Sequence, residues 1–268
     1  MLIYTNSQNY TDIANAIHEL TGSNEQYTPE EMKPALDKLP KYAVSYDTFD
    51  SNGNTLSGTT YGYKATGFCY NQYLTSVNIS SQVKEIGERA FYKCGELTNI
   101  VLPDSVTNIG ADAFHDCQKI NMNIPNNLQE IGKNAFMYCY ELSVNELPDS
   151  IANIGYSAFN RCNKLTITKI PNSLTRISPY VFQWCEGITK IRFHKNLKYI
   201  DSSAFSDCIN LSTVTFEGTP DLVDKNVFRN CLNLTTINVP WSEGEVANAP
   251  WGATNATINY NYVESTEV

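Results

Sequence analysis

Residues 86–94 read Ile86-Gly-Glu-Arg-Ala-Phe-Tyr-Lys-Cys94, and this pattern recurs along the chain. Six further copies follow, each with a phenylalanine three residues before its final cysteine, and they end at Cys117, Cys139, Cys162, Cys185, Cys208 and Cys231. Successive cysteines are 23 residues apart, except for one interval of 22. A fixed period of about 20–50 residues is typical of stacked repeats, in which no single unit can bury its own apolar side. The sequence therefore predicts a solenoid.

Each repeat is predicted to contain a strand, a tight turn and a corner. In residues 97–103, apolar side chains recur at steps of three and two, which indicates a strand entered through a bend. Residues 89–94 are too few for a stable helix, so we expect one helical or 3₁₀ turn there. The glycine that follows the isoleucine of each closely matching copy predicts a corner with a positive φ.

Columns of Ile, Phe, Cys and Leu side chains are predicted to form the core, and two of these columns follow directly from the spacing of the repeat. The first contains seven phenylalanines: Phe91, Phe114, Phe136, Phe159, Phe182, Phe205 and Phe228. The second contains the seven repeat cysteines, which are too far apart in sequence for the paired ligands of a zinc site. Buried cysteine behaves as a small apolar residue, so a ladder of free thiols is expected. Occasional disulfides between adjacent coils are the alternative, because strand spacing could bring Cα atoms within bonding range.

The chain divides into four segments on this reading. Residues 1–40 form a helical hairpin, 41–80 a β cap with a degenerate first coil, 81–240 the solenoid, and 241–268 a C-terminal cap and tail. About eight coils at a strand spacing of about 4.8 Å would be roughly 40 Å long.

Both ends of the stack carry residues suited to covering it. Asn52-Gly53 suits a turn between two strands of the N-terminal cap. At the other end, Trp241 and Trp251 either seal the last coil or bind sugar, and residues 257–262 alternate as an edge strand does. A cap is needed because a bare end exposes the core and the strand edges.

The first forty residues predict two short helices. Asn9 can cap the first helix, and the Thr28-Pro29 pair begins the second. The apolar side chains that we expect to attach this hairpin to a partner are Ile13, Ile17, Tyr27, Met32 and Leu36.

The repeat, with its consensus V-x-x-I-G-x-x-A-F-x-x-C-x-x-L-T-x-I-x-L-P, closely resembles the BspA-type bacterial leucine-rich repeat. The resemblance implies an α/β leucine-rich-repeat solenoid that is right-handed and curved, with short strands lining one face. It also implies roles in adhesion and recognition at the cell surface or after secretion, with no catalytic residue in the repeats.

The N-terminal segment carries a second resemblance. The pattern Tyr10-x-x-Ile13-Ala14, followed by Gly22 and by Tyr27-x-Pro29-x-Glu31-Met32, is similar to a short module at the front of phage and prophage tail or minor structural proteins from Gram-positive gut bacteria. That resemblance implies attachment to other virion or tail proteins through residues 1–40.

Composition and motifs exclude several classes of function. The net charge of −9 and the pI near 4.9 argue against binding nucleic acid or anionic lipid. No apolar run approaches the roughly 20 residues of a membrane helix, and no secretory signal is evident. The three histidines are far apart, and no nucleophile elbow, phosphate loop or metal-binding motif is present. We therefore expect no enzyme activity, cofactor or metal.

The strand-lined face is the expected binding surface, because repeat proteins bind along it. One column of side chains between the buried ones runs through Asn78, Val101, Asn123, Glu146, Lys169, Arg192, Thr215 and Asn238. Lys169 and Arg192, beside Glu146, would form a local basic spot for an acidic group on a protein or cell-surface polymer. The candidate partner-binding residues are Glu146, Lys169, Arg192, Thr215 and Asn238. The alternative is a solvated face without a target.

Three central coils depart from the repeat. Met122, Val144 and Ile167 lie one place earlier than the usual inward-pointing isoleucine, and the first of these coils is one residue short. Either the strand bulges there, or these side chains form an apolar spot on the surface.

The sequence thus predicts a non-enzymatic recognition or structural protein. The leading hypothesis is a phage or prophage particle protein that presents its solenoid to a host cell. A BspA-type adhesin at the bacterial cell surface or secreted is the alternative, and an intracellular scaffold is a third possibility.

Overall fold

The computed structural model of the protein describes residues 43–49, 55–61, 64–65, 68–79, 81 and 83–263. The predicted hairpin over residues 1–40 lies outside these residues, together with its candidate attachment side chains Ile13, Ile17, Tyr27, Met32 and Leu36.

The described part of the chain is a leucine-rich-repeat β-solenoid of about eight coils. Its strands are β1 (Ala43–Phe49), β2 (Thr55–Tyr61), β3 (Lys64–Ala65), β4 (Leu74–Ile79), β5 (Glu85–Ile86), β6 (Asn99–Val101), β7 (Asn108–Ile109), β8 (Glu130–Ile131), β9 (Asn153–Ile154), β10 (Arg176–Ile177), β11 (Lys190–Phe193), β12 (Tyr199–Ile200), β13 (Thr213–Phe216), β14 (Leu222–Val223), β15 (Thr236–Asn238) and β16 (Thr257–Asn259).

The strands form two ladders at two different phases of the repeat. The strand-lined face contains the sheet β2-β1-β4-β6 and, further along, the sheet β11-β13-β15-β16. The second ladder contains β3-β5-β7-β8-β9, followed by β10-β12-β14. Pairing between coils is parallel, as expected where each strand returns one full coil later.

Each end of the strand-lined face is covered by an added strand. At the N-terminal end, β1 and β2 pair antiparallel, and β1 also pairs antiparallel with β4. At the C-terminal end, β16 pairs parallel with β15. These strands agree with the alternating patterns read around the Asn52-Gly53 turn and in residues 257–262.

The expected helical turn is wrong, since the described residues contain no helix. Ala90 N–H donates to Gly87 O at 3.2 Å and Cys94 N–H to Phe91 O at 3.1 Å, which closes two separate turns. The third residue of each turn, Arg89 or Lys93, has a positive φ of 54° or 60°. That geometry is a type II turn, and it breaks a right-handed helix. Alternate N–H groups point to the next coil, as in Phe91 N to Ala113 O at 2.7 Å.

The predicted positive φ at the corner glycines is also wrong. The described glycines with a positive φ are Gly244 and Gly252, neither of which is a repeat corner. What the corner requires is a close approach between coils. A Cβ atom on Gly132 would lie 2.5 Å from the backbone nitrogen of Ala111 in the preceding coil. Sequence spacing shows where the glycine recurs. It does not show whether the position needs a positive φ or the absence of a Cβ atom.

The phenylalanine column is buried as predicted and forms a continuous stack. Ring centroids of successive coils are 5.1–5.7 Å apart as far as Phe205, and the last pair, Phe205–Phe228, is 6.1 Å apart. The stack begins one coil earlier than predicted, because Phe68 lies 5.2 Å from Phe91. Burial of each ring contributes on the order of 1.5–3 kcal/mol.

The repeat cysteines form the expected ladder of free, buried thiols. Each Sγ donates to the carbonyl of the phenylalanine in the preceding coil, at 2.9–3.1 Å. Cys69 does not belong to the ladder, because its side chain is exposed. Burial raises the pKa of the Cys94 and Cys231 thiols to about 12, and it raises the pKa of Cys139 well above its usual range.

The tryptophans close the C-terminal end of the core. Trp241 and Trp251 are buried, and their rings lie 5.1 and 5.7 Å from that of Phe216. Trp251 Nε1 donates to Ala247 O at 2.8 Å, which satisfies its polar atom. Buried rings cannot stack on a sugar, so the sealing interpretation fits this geometry.

Candidate protein-binding surface

The strand-lined column of side chains is continuous over the C-terminal coils. Lys169 is bridged in parallel to Arg192, and the β11, β13 and β15 registers place Arg192, Thr215 and Asn238 beside one another. The column continues one step beyond the predicted residues to Asn259. The sequence carries a signal for this extra step, since Thr-Ile-Asn occurs at both 236–238 and 257–259.

The C-terminal part of the column is polar and uncharged. Asn238 Nδ2 donates to Thr215 Oγ1 at 3.3 Å, and Asn259 Nδ2 donates to Asn238 Oδ1 at 2.8 Å. Asn238 is only 8% exposed, so its side-chain amide bonds mainly to the neighbouring residues of the column and little to solvent. Thr215 is half-buried and Asn259 is exposed.

The central part of the column carries paired charges, which corrects the expected basic spot. Lys169 Nζ lies 2.6 Å from Glu146 Oε1, and Arg192 Nη1 lies 3.2 Å from Glu217 Oε1. The hydrogen bond with Glu146 and its negative charge raise the pKa of Lys169. Glu146 and Glu217 lie on either side of the two cations, so the surface offers two ion pairs rather than a positive patch.

The irregular coils contain no apolar surface spot. Met122, Val144 and Ile167 are 6%, 6% and 0% exposed, so all three point inward. In a regular coil, two exposed residues precede the inward isoleucine, whereas here Asn145 and Glu146 follow Val144. This shift of the inward position matches the bulge interpretation, and no strand forms there.

A groove opens where the strand-lined ladder is interrupted. Within the described residues, no backbone hydrogen bond joins 121–124 to 99–101 or to 143–147. Instead, the side-chain oxygen of Asn121 accepts the N–H of Ser143 at 3.1 Å. The groove has a volume of about 410 Å³ and is lined by Asn121, Met122, Asn123, Ile124, Ser143, Val144, Asn145 and Glu146.

No group of three or more His, Cys, Asp or Glu side chains among the described residues is placed to hold a metal ion. Within the same residues, no helix has the length and apolar character needed to span a membrane.

Several solved structures are similar to this chain. The T. pallidum leucine-rich repeat protein is 29% identical, with 64% of this chain and 70% of that chain covered and a TM-score of 0.46. A leucine-rich cell surface protein from Faecalibacterium prausnitzii is 21% identical, with coverage of 73% and 68% and a TM-score of 0.45. The pneumococcal vaccine antigen PcpA is 20% identical, with coverage of 81% and 48% and a TM-score of 0.48.

No curated protein matches the sequence significantly. The sequence profile of the BspA type leucine rich repeat region, in contrast, matches residues 64–189 and 130–249, which together span more than half of the chain. These matched residues contain the phenylalanine stack, the thiol ladder and the strands from β3 to β15. The chain belongs to the BspA-type leucine-rich repeat family.

Proposed function

We propose that this protein binds a partner protein on its strand-lined face, through Glu146, Lys169, Arg192, Thr215 and Asn238 and the groove beside them. Leucine-rich repeat proteins generally bind proteins, and their solenoids are typically non-catalytic scaffolds. The observation that carries the proposal is the interrupted ladder, which leaves backbone groups in the groove without partners in neighbouring coils.

The groove suits a partner that brings its own hydrogen-bonding groups. A backbone N–H or C=O without a partner is a strong donor or acceptor, and extended peptides bind proteins by completing such ladders. The amides of Asn121, Asn123 and Asn145 line the same groove, and Glu146 connects it to Lys169. A partner in the groove would thus form hydrogen bonds with these amides and would contact the paired charges of Glu146 and Lys169 at the rim.

The setting of this binding is a finer proposal. The motif in residues 1–40 supports attachment to a phage or prophage particle, with the solenoid turned towards the host cell. The alternative is an adhesin, since BspA-type proteins are often found at the cell surface. In both settings the strand-lined face is the surface offered to a partner.

The experiment measures binding of the labelled protein to intact cells of candidate Gram-positive gut bacteria. The variant combines Lys169→Glu with Arg192→Glu, which places four carboxylates along the column. We expect about tenfold weaker binding, since like charges at an interface are strongly unfavourable. The melting temperature should stay unchanged because exposed ion pairs contribute little to stability.

The matched control combines Lys119→Glu with Lys164→Glu. These lysines form exposed ion pairs between coils with Glu96 and Glu141, away from the column. The control protein should bind as the unaltered protein does. Equal binding by all three proteins would end the proposal, and loss of binding after protease treatment of the cells would identify the partner as a protein.

A further inference from the structure

A second surface feature runs along the turns and not along the strands. We call it the aromatic stripe, and it consists of Tyr70, Tyr92, His115, Tyr138, Arg161 and Trp184. Each member comes from a successive coil. Ring centroids are 5.3 Å apart for Tyr70–Tyr92, 4.9 Å for Tyr92–His115 and 5.5 Å for His115–Tyr138.

The backbone beneath the stripe holds bulky side chains in an unfavourable conformation. Tyr70, Tyr138, Arg161 and Trp184 have φ values of 62–65°, where glycine and asparagine are favoured. The equivalent position in the last coil is Asn230, which suits this conformation. The same positive φ recurs at this position in every coil, so the turn geometry of the repeat fixes the backbone on which these side chains stand.

The cations of the stripe pair with rings and not with carboxylates. The guanidinium carbon of Arg161 lies 5.8 Å from the centroid of Tyr138 and 4.8 Å from that of Trp184. Near the other end, Arg89 lies 4.5 Å from Tyr92. Lys93 Nζ lies 5.6 Å from the Tyr70 centroid and 5.5 Å from the Tyr92 centroid.

Apart from the contact of His115 with Asp112, the ion pairs of the described residues lie elsewhere. Their cations, paired with carboxylates of other coils, are Lys119, Lys164, Lys169, Arg176, Arg192 and Lys198. Arg89, Lys93 and Arg161 have no carboxylate partner in this part of the chain, although the protein as a whole is acidic. A guanidinium held flat between two rings keeps its N–H edge available for a carboxylate.

Two carboxylates close in sequence to His115, those of Asp112 and Asp116, accept hydrogen bonds from other side chains. Asp112 accepts from Asn134 at 3.0 Å and lies 3.1 Å from His115 Nδ1. Asp116 accepts from Gln118 at 2.9 Å.

We propose that the aromatic stripe binds an extended acidic segment of a partner protein, whose carboxylates pair with Arg161 at one end and with Arg89 and Lys93 at the other. Tyrosine, tryptophan and arginine are the side chains that dominate the energetics of protein interfaces, which favours a protein partner. This surface lies on the turn segments, so it is independent of the strand-lined face.

The spacing of the two cationic ends defines the segment. Arg161 and Lys93 are three coils apart, which is roughly 15 Å at the spacing of parallel strands. An extended chain covers that length in about five residues at about 3.3 Å each. Two acidic pairs separated by three neutral residues therefore match both ends.

The experiment measures the anisotropy of a fluorescein-labelled peptide of sequence GEESYSEEG as the protein is added. We expect saturable binding that weakens as salt is raised, and no binding of the GQQSYSQQG peptide. Arg161→Gln should weaken binding about tenfold or more, because a bidentate charged contact is lost. Trp184→Leu should weaken it as well, because the guanidinium loses its platform.

The control variant is Arg229→Gln, which removes an exposed arginine from the turn segment of the last coil. It should bind the acidic peptide as tightly as the unaltered protein does. Equal affinity of the Arg161→Gln and Arg229→Gln proteins, or equal affinity for the two peptides, would overturn the proposal. So would binding of polygalacturonate, an acidic polysaccharide, in preference to the acidic peptide.

Discussion

Gly132 illustrates how little room the solenoid leaves between coils at its corners. A Cβ atom there would lie 2.5 Å from Ala111 N and 2.6 Å from Gly110 C, and backbone atoms cannot move aside as a side chain can. We therefore expect Gly132→Ala to lower the free energy of unfolding by about 2–3 kcal/mol, which is the usual range for overpacking. Denaturant unfolding followed by circular dichroism measures this change.

Gly95 is the matched control for that substitution. A Cβ atom added at Gly95 meets no atom within 4 Å, and its φ is not positive. Gly95→Ala should change the free energy of unfolding by no more than about 0.5 kcal/mol. If the two alanine variants are equally stable, the corner does not depend on the close approach described above.

Among the elements, the phenylalanine stack contributes a continuous column of buried rings to the core. Phe159 is fully buried between rings 5.3 and 5.7 Å away in the coils on either side. Phe159→Ala should cost about 3–5 kcal/mol, because the cavity is enclosed by neighbouring coils. A thermal melt measures the loss, and a shift of only a degree would contradict the position of the ring in the core.

Tyr156→Ala is the control, because it removes an aromatic ring from the same coil. Tyr156 is 44% exposed and contacts Tyr180 at 5.3 Å. Its removal should cost about 1 kcal/mol or less, since the side chain is already partly exposed to water. The difference between the two variants then measures burial and not aromatic content.

Because of the thiol ladder, the free energy of unfolding should depend on pH in the alkaline range. The unfolded thiol ionises near pH 9, whereas burial keeps Cys94 and Cys231 protonated up to about pH 12. Above pH 9 the unfolded chain therefore binds fewer protons than the native one, so the free energy of unfolding falls as pH rises. Each buried thiol contributes about 1.4 kcal/mol per pH unit to this slope.

Removal of one rung isolates that contribution. The pKa of Cys139 is raised by burial, and its Sγ donates to Phe114 O at 3.0 Å. The free energy of unfolding of Cys139→Ala, measured with urea between pH 9 and 10.5, should fall less steeply with pH than that of the unaltered protein. The difference should equal the contribution of one thiol. Tyrosine and lysine titrate in both proteins, so they cancel in the comparison. Parallel slopes would show that the thiol does not resist ionisation.

The sequence predicts those features whose residues occupy the same position in every repeat. A nearly constant period places seven phenylalanines and all seven repeat cysteines in columns, so both columns could be predicted without coordinates. The turns could not, because apolar spacing does not distinguish a helical turn from paired turns with positive φ at Arg89 and Lys93. The ion pairs of Lys169 and Arg192 depend on side-chain directions across coils, which the period also leaves open.

The aromatic stripe was missed for a different reason. Tyr92 and His115 follow the core phenylalanine by one residue, whereas Tyr70, Tyr138, Arg161 and Trp184 follow it by two. No single column of the repeat contains the stripe, so an inspection column by column passes over it. Only the turn geometry brings the two phases into contact.

At the scale of the whole molecule, both strand ladders are interrupted near the middle of the solenoid. The strand-lined ladder stops after β6 and resumes at β11, and the second ladder stops after β9 and resumes at β10. At the second break, Ser178 Oγ donates to Ile154 O at 2.8 Å, in the absence of strand pairing. The turn ladder continues across both breaks, as in Phe159 N to Val181 O at 2.9 Å.

Hydrogen exchange should reveal the interruption of the strand-lined ladder. Apart from Ser143, whose N–H bonds to Asn121 Oδ1, the amides of residues 143–147 lack partners in neighbouring coils. We therefore expect them to exchange much faster than those of β13, which pairs with β11 and β15. The turn of the same coil provides the internal control, since Tyr138 N donates to Asn160 O at 2.9 Å and should exchange slowly. Exchange followed by mass spectrometry resolves these segments. Equal protection of 143–147 and β13 would mean that the ladder is closed in solution, and the groove proposed to receive a partner would then not exist in the free protein.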